Sequence, residues 1–283
     1  MAPRPLPTPQ YDGPSPIPYD SAARYLWGDD EAGFVPDWYY LSNDSLHYMT
    51  YSLPEGRGFT HSEDYPTKYG ADEVMIVLAG KFALANPETG EVVRLEERDA
   101  VVFREDTWHH GFNVGTGEVV VLEYLSPPPL QGSIDEPSDD PVRLPESEWQ
   151  YLPAAAEHSF PMAGTDPVAD PTLYRVGADE TIGTIDGREN PTFVSLYADT
   201  PHLRVGAMDL NPGQTTDAHA HEGDEGVYVG SGEAFIHLPE AGDEHWFEIS
   251  ADDGFYIPAG TPHEYHNASE SETRLYFGIS PNP

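Results

Sequence analysis

"AHAHEGDEGVYVGSG", residues 218 to 232, sets two histidines one residue apart, a glutamate four residues after the second, and an apolar run closing on a Gly-Ser-Gly turn. In a strand, residues i and i+2 point to the same side, so His219 and His221 share a face. Glu225 keeps that parity if the strand continues, although Gly223 bends the path. His263 arrives from a later strand, after the tight turn "PAGTP" at 258 to 262. Three imidazoles and one carboxylate converging from two strands leave open positions on an octahedral divalent ion. The set suits Fe(II), Mn(II), Ni(II), Cu(II) or Co(II). A solvated acidic face would explain the acids, but not the histidines in register with them.

Working outward, the chain is a series of short alternating or apolar runs broken by Gly, Pro, Asn and Asp, the signature of strands at hairpin spacing. The two halves match in order. "LPEG" (53 to 56) answers "LNPG" (210 to 213), and "DEVMIVLAGKFAL" (72 to 84) answers "DEGVYVGSGEAFI" (224 to 236). "DAVVFREDTWHHGFN" (99 to 113) answers "DGFYIPAGTPHEYHN" (253 to 267). Glu73 thus stands opposite Glu225, His109 opposite His263 and Asn113 opposite Asn267. A strand-rich unit has been duplicated. Helix is scarce, at most a turn or two at "DSAARYLW" (20 to 27) and "EHSF" (157 to 160).

Composition narrows the chemistry. The 283 residues include 50 acids against 13 basic residues, only two of them lysine (Lys68, Lys81), for a net charge of -37. Nucleic acid and anionic membranes both need a basic footprint, so neither is expected as a partner. The acidity fits a salt-tolerant or halophilic source and equally an Arg-using genome with an acidic proteome. Cysteine is absent, which removes disulfides, thiolate catalysis and Cys-based zinc or iron–sulfur sites. The proline-rich start lacks the apolar stretch of a signal peptide, no run is long enough to span a membrane, and a cytoplasmic location is expected.

Gly213, His219, His221, Glu225 and Gly232 resemble the first signature of the cupin superfamily in residue type and spacing. Pro258, Gly260, His263 and Asn267 resemble the second; Asp252 stands where that signature would begin with Gly. The internal match carries the resemblance over residues 38 to 126 and 190 to 280. The resemblance implies an all-β fold with two cupin-type double-stranded β-helix (jelly-roll) barrels in tandem, a bicupin. The expected division is a proline-rich arm at 1–25, an N-terminal barrel at 26–126, a connecting segment at 127–185 and a metal-binding C-terminal barrel at 186–283.

The N-terminal half departs from the pattern. Counting back from Glu73, the paired His positions hold Thr67 and Tyr69, and 17 positions separate Gly56 from Glu73 against 12 between Gly213 and Glu225. Realigned from Gly56, a second candidate set is His61, Glu73 and His109, with Glu63 or Tyr69 as a fourth ligand. A loop insertion beside missing ligands marks a retired site on a retained fold, so one intact and one degenerate site are expected.

Residues sharing parity with the ligands should line the C-terminal barrel: Val227 and Val229 from Glu225, Tyr265 and Asn267 from His263. That lining is apolar and aromatic, which favours a neutral or aromatic substrate over a small dicarboxylate. Arg204 and Arg274 are read as surface partners of the abundant acids. The resemblance implies one divalent transition metal per chain, Fe(II) first, with Mn, Ni, Cu or Zn as alternatives. It implies a dioxygenase that brings a phenolic or enolic small molecule and O2 to the ion, with Glu225 as general base. A non-redox isomerase, lyase or decarboxylase would use the same ion as Lewis acid, and a non-catalytic binding protein is the third reading. Exposed sheet edges make a homo-oligomer a further expectation.

Overall fold

The computed structural model describes residues 5–128, 144–151, 170–240 and 245–281. Its strands form two seven-stranded antiparallel sheets and two smaller ones. The first large sheet takes β2 (Ala23–Asp29), β3 (Gly33–Ser42), β4 (His47–Leu53), β6 (Asp72–Ala79), β9 (Ala100–Phe103), β11 (Val119–Ser126) and β12 (Tyr174–Val176). It closes on a four-stranded sheet of β5 (Gly58–Phe59), β7 (Phe82–Ala85), β8 (Val92–Leu95) and β10 (His110–Asn113). The second large sheet takes β1 (Ser15–Ile17), β13 (Ile182–Asp186), β14 (Thr192–Asp199), β15 (Arg204–Leu210), β16 (Glu225–Ser231), β19 (Gly254–Ile257) and β21 (Thr273–Ile279). It closes on β17 (Glu233–His237), β18 (Trp246–Ser250) and β20 (Glu264–His266). The fold is all-β, with two double-stranded β-helix barrels in tandem. "DSAARYLW" gives one short 3-10 turn at Tyr19–Ser21 and then β2, because its apolar residues alternate; "EHSF" lies outside the described residues.

The strands that carry the site are buried on both faces, and alternate side chains go to different cores. On β6, Met75 and Val77 enter the N-terminal barrel while Val74 and Ile76 face the other domain. On β16, Val227 and Val229 fill the C-terminal barrel while Tyr228 joins the interdomain core. The two large sheets therefore pack back to back, through Tyr40, Tyr48, Tyr124, Tyr197, Tyr228 and Tyr276. Tyr124 lies against Gly278 and Tyr48 against Gly226, where an added Cβ would collide with the ring. Tyr48 Oη donates to Val227 O (3.1 Å) and Tyr124 Oη to Gly226 O (3.2 Å), so the phenols in this core are satisfied.

Each barrel borrows an edge strand. β1, from the proline-rich arm, pairs with β19 of the C-terminal barrel. β12, from the connecting segment, pairs with β9 of the N-terminal barrel. An open sheet edge is covered in the same way in both. Asp252, the position that departs from Gly, adopts φ 72°, and its counterpart Arg98 adopts φ 71°. An aspartate tolerates that left-handed conformation better than most residues. Both carbonyls are used across the interface: Tyr40 Oη donates to Asp252 O (2.7 Å) and Tyr197 Oη to Arg98 O (3.0 Å).

Candidate metal centre

His219 and His263 face each other across an antiparallel bridge, with His219 N donating to His263 O (3.0 Å) and His263 N to His219 O (2.9 Å). The backbone thereby sets the spacing of two imidazoles before any side chain is considered. His219 Nδ1 donates to Asp217 O (3.0 Å) and His263 Nδ1 to Thr261 O (2.9 Å), so each ring turns its Nε2 the other way. Asp217 is tied to the turn between β13 and β14 by accepting backbone N–H bonds from Glu189 (3.0 Å) and Asn190 (2.8 Å). His221 is tied down by Gly260 N donating to its carbonyl (2.7 Å).

One ring nitrogen each of His219, His221 and His263 lie within 4.8 Å of one another. Glu225 Oε2 is 3.1 Å from His263 Nε2 and 3.6 Å from His221 Nε2. Yet Glu225 Oε2 and His263 Nε2 are both buried and neither has an aligned hydrogen-bond partner. Three imidazole nitrogens gathered together, with a buried carboxylate oxygen beside two of them and no aligned hydrogen bond to use it up, form the donor set an N3O divalent ion requires. The residues fit the metal. His263 and Glu225 are buried while His219 and His221 are half-buried, so the approach from solvent is on the side of those two rings.

Burial alone would raise the Glu225 carboxyl. The three neighbouring imidazoles outweigh it and bring the group down to about 2. Burial likewise lowers His263, but Glu225 beside it wins and the net shift is upward. At His221 burial dominates and the shift is downward. Glu225 is thus ionised throughout the neutral range, as a ligand or base must be.

Of the expected substrate contacts, Val227 and Val229 belong to the packed interior beside the site. Tyr265 is used differently from the expectation: its hydroxyl donates to Glu225 Oε1 (3.0 Å), which leaves Oε2 as the free oxygen. Asn267 is a correction. Its Nδ2 donates to Leu210 O (2.8 Å) and Ser271 O (2.7 Å), so the amide locks a hairpin and has nothing left for a substrate. Asn113 does the same in the other barrel, with Leu53 O (2.8 Å) and Gly117 O (2.7 Å). Arg274 is paired with Asp209 (2.9 Å), and Arg204 is held at the exposed rim by Asp199 (3.1 Å). A further group of His237, Glu264 and His266 sits half-buried on the small sheet of this barrel.

In the N-terminal barrel, the structure separates the candidate set His61, Glu73 and His109. His61 Nδ1 hydrogen-bonds with His110 Nε2 (2.6 Å), its Nε2 meets the backbone of Leu144, and its ring packs on Trp108. The inserted loop carries His61 away from Glu73. Glu63 is exposed. Glu73 and His109 do meet, at 4.0 Å, and the third member of their group is Glu123. Glu123 went unnoticed in the sequence; the available signal was a lone acid at inward parity in "VVVLEYLS".

Residues 206–279 match the Cupin domain family. A curated polyketide synthase, CurC of Streptomyces cyaneus, is 32% identical over 78 residues, 27% of this chain and 48% of that protein. The match thus spans about half the length of that relative. Among solved structures, a putative glyoxylate-induced protein of Pseudomonas aeruginosa has 14% identity and a TM-score of 0.66, covering 100% of this chain and 93% of that one. The oxalate decarboxylase of Lactobacillus farciminis, in a formate complex, has 14% identity and a TM-score of 0.64, covering 96% of this chain and 87% of that one. At such identities the likeness is one of fold. The second barrel thus carries a Cupin domain, and the chain as a whole resembles these two-barrel proteins in fold.

Proposed function

We propose that the C-terminal barrel is the active site of a metal-dependent enzyme, a dioxygenase acting on a phenolic or enolic small molecule with O2. The observation that carries the reading is the gathering of one ring nitrogen each from His219, His221 and His263 within 4.8 Å, with the buried Glu225 Oε2 3.1 Å from His263 Nε2. A bound divalent ion would supply Lewis acidity and, if redox-active, a meeting place for substrate oxygen and O2. His219, His221, His263 and Glu225 would hold it. Tyr265 keeps Glu225 Oε1 occupied, so Oε2 is the oxygen that would ligate the ion and, when released from it, take a proton from a substrate hydroxyl. The rings of His219 and His263 are pre-set by their backbone bonds, so substrate binding demands no reorientation of them.

Two features support an aromatic or enolic substrate. The interior beside the site is apolar, with Phe277, Val227 and Ile257 packed together. The relative named a polyketide synthase points to the same class of oxygenated, enolisable compound. A carboxylate-rich substrate is less well served, because Arg204 and Arg274 are already paired with acids. The non-redox reading, a decarboxylase or isomerase using the ion as Lewis acid, shares every residue and differs in its need for O2. The test is O2 uptake by metal-loaded protein against a panel of phenols and enolisable diketones. Uptake abolished in Glu225→Gln with metal content kept supports the reading; turnover that proceeds unchanged without O2 replaces it with the non-redox one.

A further inference from the structure

We propose that the interior of the N-terminal barrel is a separate binding site for a small organic ammonium cation. It holds a cavity of about 70 Å³, room for a few waters or one small molecule. Asp37 and Glu123 line it, with Glu73 behind Glu123, and no Lys or Arg is among its lining residues. The walls are aromatic: Trp27, Tyr39, Tyr51 and Tyr69. Carboxyls with aromatic faces around a small void are the chemistry that recognises an ammonium group.

The polar atoms facing this cavity are unfinished. Asp37 Oδ1, His47 Nδ1 and Thr67 Oγ1 are buried with no hydrogen-bond partner, on residues only 2%, 4% and 1% exposed. Leaving such groups unpaired is destabilising, and the fold does not require them. By strand register, Asp37 pairs with Tyr51 as Val194 pairs with Met208, and Glu123 with Met49 as Phe277 with Gly206. Where the C-terminal barrel has Val194 and Phe277 in a packed core, this barrel has two acids and a void. The same scaffold is stable with apolar residues there, so the acids serve something other than packing. A metal ion held by Glu73, His109 and Glu123 would leave Asp37, His47 and Thr67 unpaired. A cation with several N–H donors and an apolar body reaches both groups and the rings.

The experiment uses the full chain and isobutylammonium chloride as the probe, with isobutanol as the neutral control of like shape and NaCl at equal ionic strength. Saturable quenching or enhancement of tryptophan fluorescence, with a raised melting temperature, is expected from the ammonium alone. Asp37→Asn and Glu123→Gln should each weaken it at least about tenfold, the loss of one charge-assisted hydrogen bond. His263→Ala, in the other barrel, should leave it intact. Equal effects of isobutanol or NaCl would overturn the proposal without recourse to any variant. So would protection by Mn2+ alone that vanishes in Glu123→Gln, since the carboxyls would then form an ion site.

Discussion

The two barrels share strand order, edge completion and hairpin locks, yet their interiors have diverged in opposite directions. The C-terminal barrel keeps its polar groups at the rim, where His219, His221, Glu225 and His263 meet, and fills its body with Val194, Phe277, Leu275 and Phe255. The N-terminal barrel has lost the paired histidines and carries Asp37, Glu73 and Glu123 inside. Carboxyls in the two places feel opposite environments. Three imidazoles hold Glu225 down, whereas burial without a cation drives Asp37 and Glu73 up and Glu123 up to about 7. A duplicated scaffold tolerates either solution because strand pairing and the interdomain tyrosines, rather than the interior of one barrel, hold the architecture.

The sharpest way to break this contrast is to remove one ligand. His263→Ala should bring metal content from about one ion per chain to background, by elemental analysis of protein purified without chelators, because Glu225 then sits buried with no strong donor opposite. Retention of the ion in that variant would place it in the N-terminal barrel and reverse the assignment of the two sites. The next largest effect is structural and shared by both domains. Gly278→Val would drive a side chain into the Tyr124 ring and should cost about 3 kcal/mol or more in urea unfolding, at the upper end of overpacking. A neutral result would mean the sheets do not rely on that contact.

Tyr265→Phe tests the support behind Glu225. Affinity for the metal should fall by about 10–100-fold in chelator competition, the usual loss of an outer partner, with the fold unchanged. A last effect is a pH dependence belonging to the N-terminal barrel alone. The Glu123 carboxyl is raised in the folded state, so its contribution is full below the unfolded value near 4.5 and is lost as pH rises through about 7. Wild type should therefore lose about 3 kcal/mol relative to Glu123→Gln between those limits. Buried His47 and His109, lowered to about 3 and about 4, act in the opposite sense, while Asp37 and Glu73, raised by burial and in part by Glu123, act in the same sense as Glu123. A flat difference would show that Glu123 is not held neutral by the barrel.

Much of the C-terminal site was legible because its information is local. His219 and His221 stand two apart in an extended segment, and Glu225 opens a strand whose period is two, so shared facing follows from chain geometry. His263 was legible through the internal repeat, which set it opposite His109. His61 was misread for the converse reason: inside a loop, sequence distance from Gly56 says nothing about direction, and the insertion turned the ring onto His110 and Trp108. Tyr265 and Asn267 have the same parity, yet only packing decides that one meets Glu225 and the other two backbone carbonyls.

Strand period, repetition and composition encode an all-β duplicated chain, three imidazoles with one carboxylate in the second half, and the absence of cysteine chemistry. Tertiary structure alone decided the rest. Only there does the proline-rich arm become β1 of the far barrel and the connecting segment β12 of the near one. Only there does Glu123 join Glu73 and His109, and Asp37 face a cavity. The physical reason is that a strand's alternation says which residues share a side, while the sheet stacked against that side determines whether it meets a core, a partner domain or a void.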